Sequence, residues 1–213
     1  MTVNRDGDDG ADVRVVPDLR AVIARIDTGA LAAAAIDIPI GLAPDRPRRA
    51  DMEARRRLGP RRSSVFPAPV RSALAASTYE EACALSRAAC GKAISKQLFN
   101  ILPKIREVDD LVTPLRQRRL FEMCPELSFS VLAGAPMRAS KRTAAGRAER
   151  ATALESVFDD VAALVRRPPA GAACDDVLDA LIGAWTARRY ATQAHVQRGG
   201  ELDATGLRME MIA

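Results

Sequence analysis

The chain has 213 residues, a length that suits one domain with a sizeable core. Hydrophobic residues make up 48% and charged residues 28% of it, which excludes wholesale disorder. The net charge of +5 and the pI near 9.4 favour polyanionic partners, though weakly for this length. No apolar run approaches the roughly 18 residues of a membrane span. Residues 1–12 are acidic where a signal peptide would be basic, so we expect a cytoplasmic protein.

Strand and helix patterns alternate along the first half of the chain. Residues 12–16 are a candidate strand, and Asp18 is expected to cap a helix that ends near Ile26. Residues 31–40 are apolar except for Asp37, a pattern typical of a strand that is buried on both faces. Helices are then predicted over residues 46–58 and 78–90, with a loop that contains proline and serine between them.

The second half repeats this alternation. Thr113 and Pro114 are predicted to start a short turn, and residues 119–123 form a second candidate central strand. One long helix is expected over residues 144–165 and a final one over residues 175–190, with a break at residues 168–171. Strands that alternate with helices in this way indicate the α/β class.

The cysteines and the single histidine do not form a metal-binding pattern. No two of the four cysteines make a C-x-x-C pair, and His195 is the only histidine. We therefore expect neither a zinc site nor a disulfide framework. The cysteines are interpreted as reduced, buried, small hydrophobic residues.

Two acidic residues follow the predicted central strands. Asp37 stands at the carboxyl end of the first, where open α/β sheets bind ligands, but it would equally well cap the turn through N–H groups near Ile40 and Gly41. Glu126 stands in the same position after the second strand. Because an acidic residue directly after proline is common in the first turn of a helix, a structural role explains Glu126 as well.

A third acidic group opens the last predicted helix. A helical wheel places Asp175 and Asp179 beside the apolar stripe of this helix and turns Asp176 further out. Helix capping explains Asp175 and Asp176 but not Asp179, which lies a full turn in. Carboxylates from two strand ends and one helix suit a hard cation such as Mg²⁺ or Mn²⁺, since like charges repel without one. Water on the metal ion would then be the base.

The densest basic run leads into two serines. Its members are Arg48, Arg49, Arg55, Arg56, Arg57, Arg61 and Arg62, followed by Ser63 and Ser64. Guanidinium and hydroxyl donors of this kind suit phosphate groups. The basic run is explained about as well by a solvent-exposed helix face whose positive charges are balanced by Asp45, Asp51 and Glu53. Aromatic residues make up only 4% of the chain, so no platform for stacking bases is evident.

Six short motifs occur in order along the chain. They are residues 36–42 (IDIPIGL), 62–67 (RSSVFP), 103–109 (PKIREVD), 125–129 (PELSF), 140–143 (SKRT) and 175–180 (DDVLDA). This series resembles the domain-of-unknown-function 429 family, whose members are predicted ribonuclease-H-like nucleases. The resemblance covers the chain from about residue 13 to its last residue.

The resemblance implies a ribonuclease-H-like fold over residues 12–213, with a central mixed sheet and a helical insertion between the central strands. It implies that Asp37, Glu126, Asp176 and Asp179 are catalytic carboxylates that bind two Mg²⁺ or Mn²⁺ ions. The D-x-x-D-A spacing also looks like the last helix of Holliday-junction resolvases, so the motif selects Asp176 where the wheel selects Asp175. The residues expected to contact nucleic acid are Arg61, Arg62, Ser63, Ser64, Lys104 and Lys141.

The chain departs from the family pattern in two places. The family normally opens with a strand that carries a Gly-Val-Asp-Gly-type motif, and the Asp of that strand is the central metal ligand. Residues 1–10 contain no such motif, and we expect residues 1–11, with Asp6, Asp8 and Asp9, to be disordered. Either the sequence starts after that strand or this member has lost a ligand. Cys124 stands where the family usually has His, which alters support for the ligand at Glu126.

The sequence thus predicts a metal-dependent nuclease that hydrolyses phosphodiester bonds of DNA or RNA. Two alternatives stay open. One is a non-catalytic module of the same fold that binds nucleic acid, and the other is a hydrolase of small phosphate esters or nucleotides. No membrane partner is expected, and the oligomeric state is left open.

Overall fold

The computed structural model describes the backbone of residues 2–5 and all of residues 11–213. In chain order its elements are β1 (Thr2–Arg5), β2 (Ala11–Arg14), α1 (Leu19–Asp27), β3 (Ala34–Ile36), α2 (Arg49–Leu58), α3 (Tyr79–Cys90), α4 (Lys96–Leu111), β4 (Leu120–Glu122), α5 (Pro125–Leu132), α6 (Ala144–Leu154), α7 (Val161–Arg166), α8 (Cys174–Ala191), β5 (Gln197–Leu202) and β6 (Arg208–Ile212). Short 3-10 segments lie at Gly59–Ser64, Arg71–Ala75 and Arg116–Arg118. The α/β class is confirmed.

The chain forms two compact units. Unit 1 consists of the chain up to Ala35, Met123–His195 and the last residue, Ala213, and unit 2 consists of Ile36–Glu122 and Val196–Ile212. The expectation of one domain over residues 12–213 stays a prediction. Among the described residues, no helix combines the length and the apolar character that crossing a membrane requires.

The strands are short and pair two by two. The pairs are β1 with β2, β3 with β4, and β5 with β6. Within the described residues this is not the continuous mixed sheet that the resemblance implies, so the ribonuclease-H-like fold also stays a prediction. The antiparallel hairpin of β5 and β6, for which the sequence analysis made no prediction, has a register shift between Gly199 and Glu201.

Several element boundaries agree with the sequence. Asp18 caps α1, with its Oδ1 accepting from Ala21 N–H at 3.0 Å, and Thr78 caps α3, with its Oγ1 accepting from Glu81 N–H at 3.2 Å. These caps work as expected because a short polar side chain satisfies an N–H group that the first turn leaves unpaired. The second central strand is confirmed as β4, and all three of its residues are buried.

Three expectations need correction. The strand predicted over residues 31–40 is only the half-buried β3, since its alanines bury little surface and Pro39 offers no N–H group. The helix predicted over residues 144–165 is divided into α6 and α7, because Asp160 adopts a left-handed conformation with φ 55°. Residues 2–5, expected to be disordered, form β1, which pairs antiparallel with β2. Asp6, Asp8 and Asp9 lie outside the described residues.

Each unit has its own apolar core. In unit 1 the buried face of α8 packs with residues of α5 and α6, and in unit 2 residues of α3 and α4 pack against Leu42. The four cysteines are free thiols: Cys83 and Cys124 are buried, whereas Cys90 and Cys174 are half-buried.

Candidate functional site

Helices α5 and α8 of unit 1 carry acidic residues from distant parts of the sequence. Val177, Leu178, Leu181 and Ile182 of α8 are fully buried, which fixes the rotation of this helix. A buried hydrogen bond of 2.9 Å between the hydroxyl groups of Thr186 and Ser128 joins α8 to α5. The first turn of α5 carries Glu126, and the first two turns of α8 carry Asp175, Asp176 and Asp179.

Glu126, in the first turn of α5, is held by a buried arginine. Its Oε2 accepts from Arg150 Nη2 at 2.6 Å, and the two residues are 5% and 0% exposed. Nη1 of Arg150 also donates to the carbonyl oxygens of Ala139 and Gly146, at 3.1 and 2.7 Å. The guanidinium therefore fixes the orientation of the Glu126 carboxylate and ties it to the start of α6.

Asp179, one turn into α8, pairs with a lysine. Its Oδ2 lies 2.6 Å from Lys141 Nζ, and the two side chains are 21% and 39% exposed. Burial raises the pKa of Asp179, Lys141 opposes this effect, and the nearby charge of Asp175 adds to it. Arg150 also acts on Asp179, to lower its pKa. Glu126, Asp175, Asp179, Lys141 and Arg150 thus form one group of interacting charges, which we call the acidic cluster.

The two aspartates in the first turn of α8, Asp175 and Asp176, have different roles. Asp175 is half-buried and close enough to Asp179 to affect its pKa. Asp176 is exposed, and its Oδ2 accepts from Ala173 N–H at 2.8 Å, which makes it a helix cap. This is the arrangement that the helical wheel predicts. The choice of Asp176 as a metal ligand, which rests on the motif, stays a prediction.

Asp37 belongs to unit 2, where it follows β3 directly and is exposed. The loop after it is fixed by other side chains: Ile40 N–H donates to Glu122 Oε2 at 2.8 Å, and Leu42 N–H donates to Asp203 Oδ2 at 3.0 Å. The Ile40 N–H group, which the sequence offered as a capping partner for Asp37, therefore donates to Glu122. Gly41 has φ 73°, and a Cβ atom there would lie 3.0 Å from Met209, so this turn requires glycine.

A buried ion-pair network anchors the same loop to α2. Arg48 Nη1 and Nη2 donate to Glu122 at 2.6 and 2.7 Å, and Nη2 lies 2.5 Å from Asp51 Oδ1. Nη1 also donates to the carbonyl oxygens of Ile40 and Gly41, at 3.1 and 3.2 Å. Arg48 and Asp51 are each 1% exposed, so assigning them to a basic surface or to a solvated face was wrong. The one signal in the sequence was their i, i+3 spacing.

The residues expected to contact nucleic acid differ in accessibility. Arg62 and Ser63 are exposed in the 3-10 segment that follows α2, whereas Arg61 and Ser64 are half-buried there. Lys104 is exposed on α4. Lys141 is half-buried beside Asp179 and belongs to the acidic cluster.

The three carboxylates of the acidic cluster offer oxygen ligands, the type that hard divalent cations prefer. Over the part of the chain that the structure describes, no three histidine, cysteine or acidic side chains form a ready-made ligand group. The chemistry nevertheless fits a cation, because the pKa of Asp179 stays raised although Lys141 is beside it. An additional positive charge would favour the ionised form of this carboxylate.

Comparison with known proteins gives one match. The model of a family described as a protein of unknown function, DUF429, matches residues 1–201. No curated protein and no solved structure matches the chain.

Proposed function

The chain belongs to the DUF429 family, and from this membership and the acidic cluster we propose that it is a metal-dependent nuclease with a ribonuclease-H-like fold. The observation that carries the proposal is that Asp179 interacts with Asp175 and with Arg150, and that Arg150 holds Glu126, a residue about fifty positions earlier in the sequence. Carboxylates gathered in this way repel one another and favour a bound cation. We propose that the reaction takes place in the cytoplasm.

The roles of the chain's own residues follow from their contacts. When bound, Mg²⁺ or Mn²⁺ would supply the charge neutralisation and the water activation that phosphodiester hydrolysis needs. Asp175, Asp179 and Glu126 are the residues of unit 1 that would hold the ion. Arg150 keeps Glu126 oriented, and Lys141, 2.6 Å from Asp179, supplies a donor for a phosphate oxygen. Asp37 remains a predicted ligand, and that prediction rests on the family resemblance alone.

A cleavage assay tests this proposal. Purified protein is incubated with single-stranded, double-stranded, hybrid and branched nucleic acids, with Mn²⁺ or with EDTA. We expect cleavage only with Mn²⁺, and we expect Asp179→Asn to lower the rate by more than the roughly 10- to 100-fold that loss of a supporting group costs. Glu155→Gln is the matched control, because Glu155 is an exposed carboxylate of unit 1 at the end of α6. The proposal is contradicted if every nucleic acid stays uncut with Mn²⁺, or if Asp179→Asn and the wild type cleave at equal rates.

A second candidate function has one observation in its favour. Glu126 and Asp179 are each already paired with a cation of the chain, Arg150 and Lys141, as a non-catalytic member would require. Such a module would bind nucleic acid in EDTA, with an affinity that falls as salt rises, and would cut none of it. Binding without cleavage is therefore the outcome that selects this candidate.

A further inference from the structure

We propose that an exposed surface of unit 2 binds single-stranded nucleic acid by stacking a base on Phe66 between arginine side chains. The inference rests on the proposed function, because it names the form of nucleic acid that the protein handles. We call this region the Phe66 surface. Its members are Met52, Arg56, Arg62, Ser63 and Phe66.

Phe66 is presented outward by a backbone that is fixed on both sides. Its neighbour Val65 is 2% exposed, whereas Phe66 itself is 45% exposed. The Val65 carbonyl accepts from Arg55 Nη1 at 2.6 Å, and Ala68 N–H donates to Asp51 Oδ2 at 2.9 Å. The ring is therefore held at the surface by the folded chain, which lowers the entropic cost of contacting a flat ligand.

The same two hydrogen bonds place Phe66 alongside α2. Asp51 and Arg55 are one helical turn apart, so the segment from Val65 to Ala68 runs beside that turn. Met52 lies on this stretch of α2 and is 48% exposed. Met52 on α2 and Phe66 on the segment beside it are two large apolar side chains left in water, which suggests a contact that the isolated chain does not make.

The charges around this apolar pair are positive and uncompensated. Arg56 and Arg62 are exposed, and neither side chain pairs with an acidic group elsewhere in the described part of the chain. Arg49 differs, because its Nε lies 2.6 Å from Glu53 Oε1. The partner that complements the Phe66 surface is therefore a polyanion.

An aromatic ring among arginines selects one kind of polyanion. Single strands expose the faces of their bases and can stack on a ring while arginines hold the phosphates. In a duplex the bases stack on one another, so only the phosphate contacts would remain.

The test is fluorescence anisotropy with a labelled single-stranded oligonucleotide and with its duplex, both in EDTA so that cleavage plays no part. We expect tighter binding of the single strand, and a loss of affinity of roughly 5- to 150-fold for Phe66→Ala, the range typical of one stacked base. Phe66→Leu should lose nearly as much, because leucine keeps the apolar surface but not the ring. Val15→Ala is the control, since Val15 is a 51% exposed apolar residue of unit 1.

The salt dependence gives an independent readout. The double variant Arg56→Ala with Arg62→Ala should reduce the slope of log affinity against log salt by about 1.4 for single strands. The control is the double variant Arg166→Ala with Arg167→Ala, which removes two exposed charges from unit 1. It should leave the slope unchanged.

Three results would overturn the inference. They are equal affinity for the duplex and the single strand, full binding by Phe66→Leu, and binding to anionic lipid vesicles with none to oligonucleotides. A protein that binds single strands through Phe66 but cuts nothing with Mn²⁺ would keep this inference and refute the nuclease.

Discussion

Removing Arg48 should destabilise unit 2 strongly. The Arg48→Met variant deletes a guanidinium that is 1% exposed and leaves two buried carboxylates, Asp51 and Glu122, without their cation. Loss of one partner from a buried ion pair typically costs about 3–5 kcal/mol. In a chain of this size that corresponds to a fall of roughly 6–20 °C in Tm.

The pH dependence of this loss provides a sharper test. Burial raises the pKa of Glu122, and Arg48 is the main opposing group. Without Arg48 the folded protein should bind a proton more readily than the unfolded chain does, so its stability should fall as pH rises above the usual carboxyl range. We therefore expect the stability deficit of Arg48→Met to be larger at pH 8 than at pH 5.

Urea denaturation followed by circular dichroism is the suitable assay, since it reports the helices of both units, whereas Trp185 fluorescence reports unit 1. Arg49→Met is the matched control. Arg49 is the next residue in the chain, but its side chain is 62% exposed and pairs with Glu53 on the surface, so little change is expected. Equal stability of the two variants, or a deficit that is the same at both pH values, would refute this account of the network.

Three further predictions concern aspartates. Asp176→Asn should keep cleavage activity, because asparagine also caps a helix, whereas Asp175→Asn should lose that activity. The reverse result in the Mn²⁺ cleavage assay would support the choice of Asp176 that the motif makes. The raised pKa of Asp179 means that its ionised form costs stability at neutral pH. Asp179→Asn should thus unfold at the same or a higher temperature at pH 7, and a clear decrease in calorimetry would argue against this. Burial acts to raise the pKa of Asp203, but the hydrogen bonds it accepts lower it overall, so stability should fall as pH drops below the usual value of 3.8. Asp203→Asn should remove that acid-sensitive part, and an unchanged pH profile would count against it.

Local patterns allowed the starts of several helices to be predicted, whereas the division of residues 144–165 into α6 and α7 was not predicted. Caps such as Asp18 and Thr78 act within one turn, so the sequence reveals them directly. The helical wheel likewise separated Asp175 from Asp176, because the buried face of α8 has a regular period.

The roles of Arg48 and Asp51 could not be predicted in the same way. Their partner Glu122 lies 74 residues from Arg48 along the chain, and burial, not composition, distinguishes them from the other residues of the basic run. The pairing of Lys141 with Asp179, across 38 residues, was missed for the same reason. Phe66 was overlooked because the overall aromatic content of 4% does not show which ring is exposed.

Titration calorimetry with Mn²⁺ tests the central claim most directly, because it does not depend on the choice of substrate. The wild-type protein should bind Mn²⁺ saturably, Asp179→Asn should lose that binding, and Glu155→Gln should keep it. Identical titration curves for Asp179→Asn and the wild type, or no heat of binding from either, would show that the acidic cluster is not a metal site.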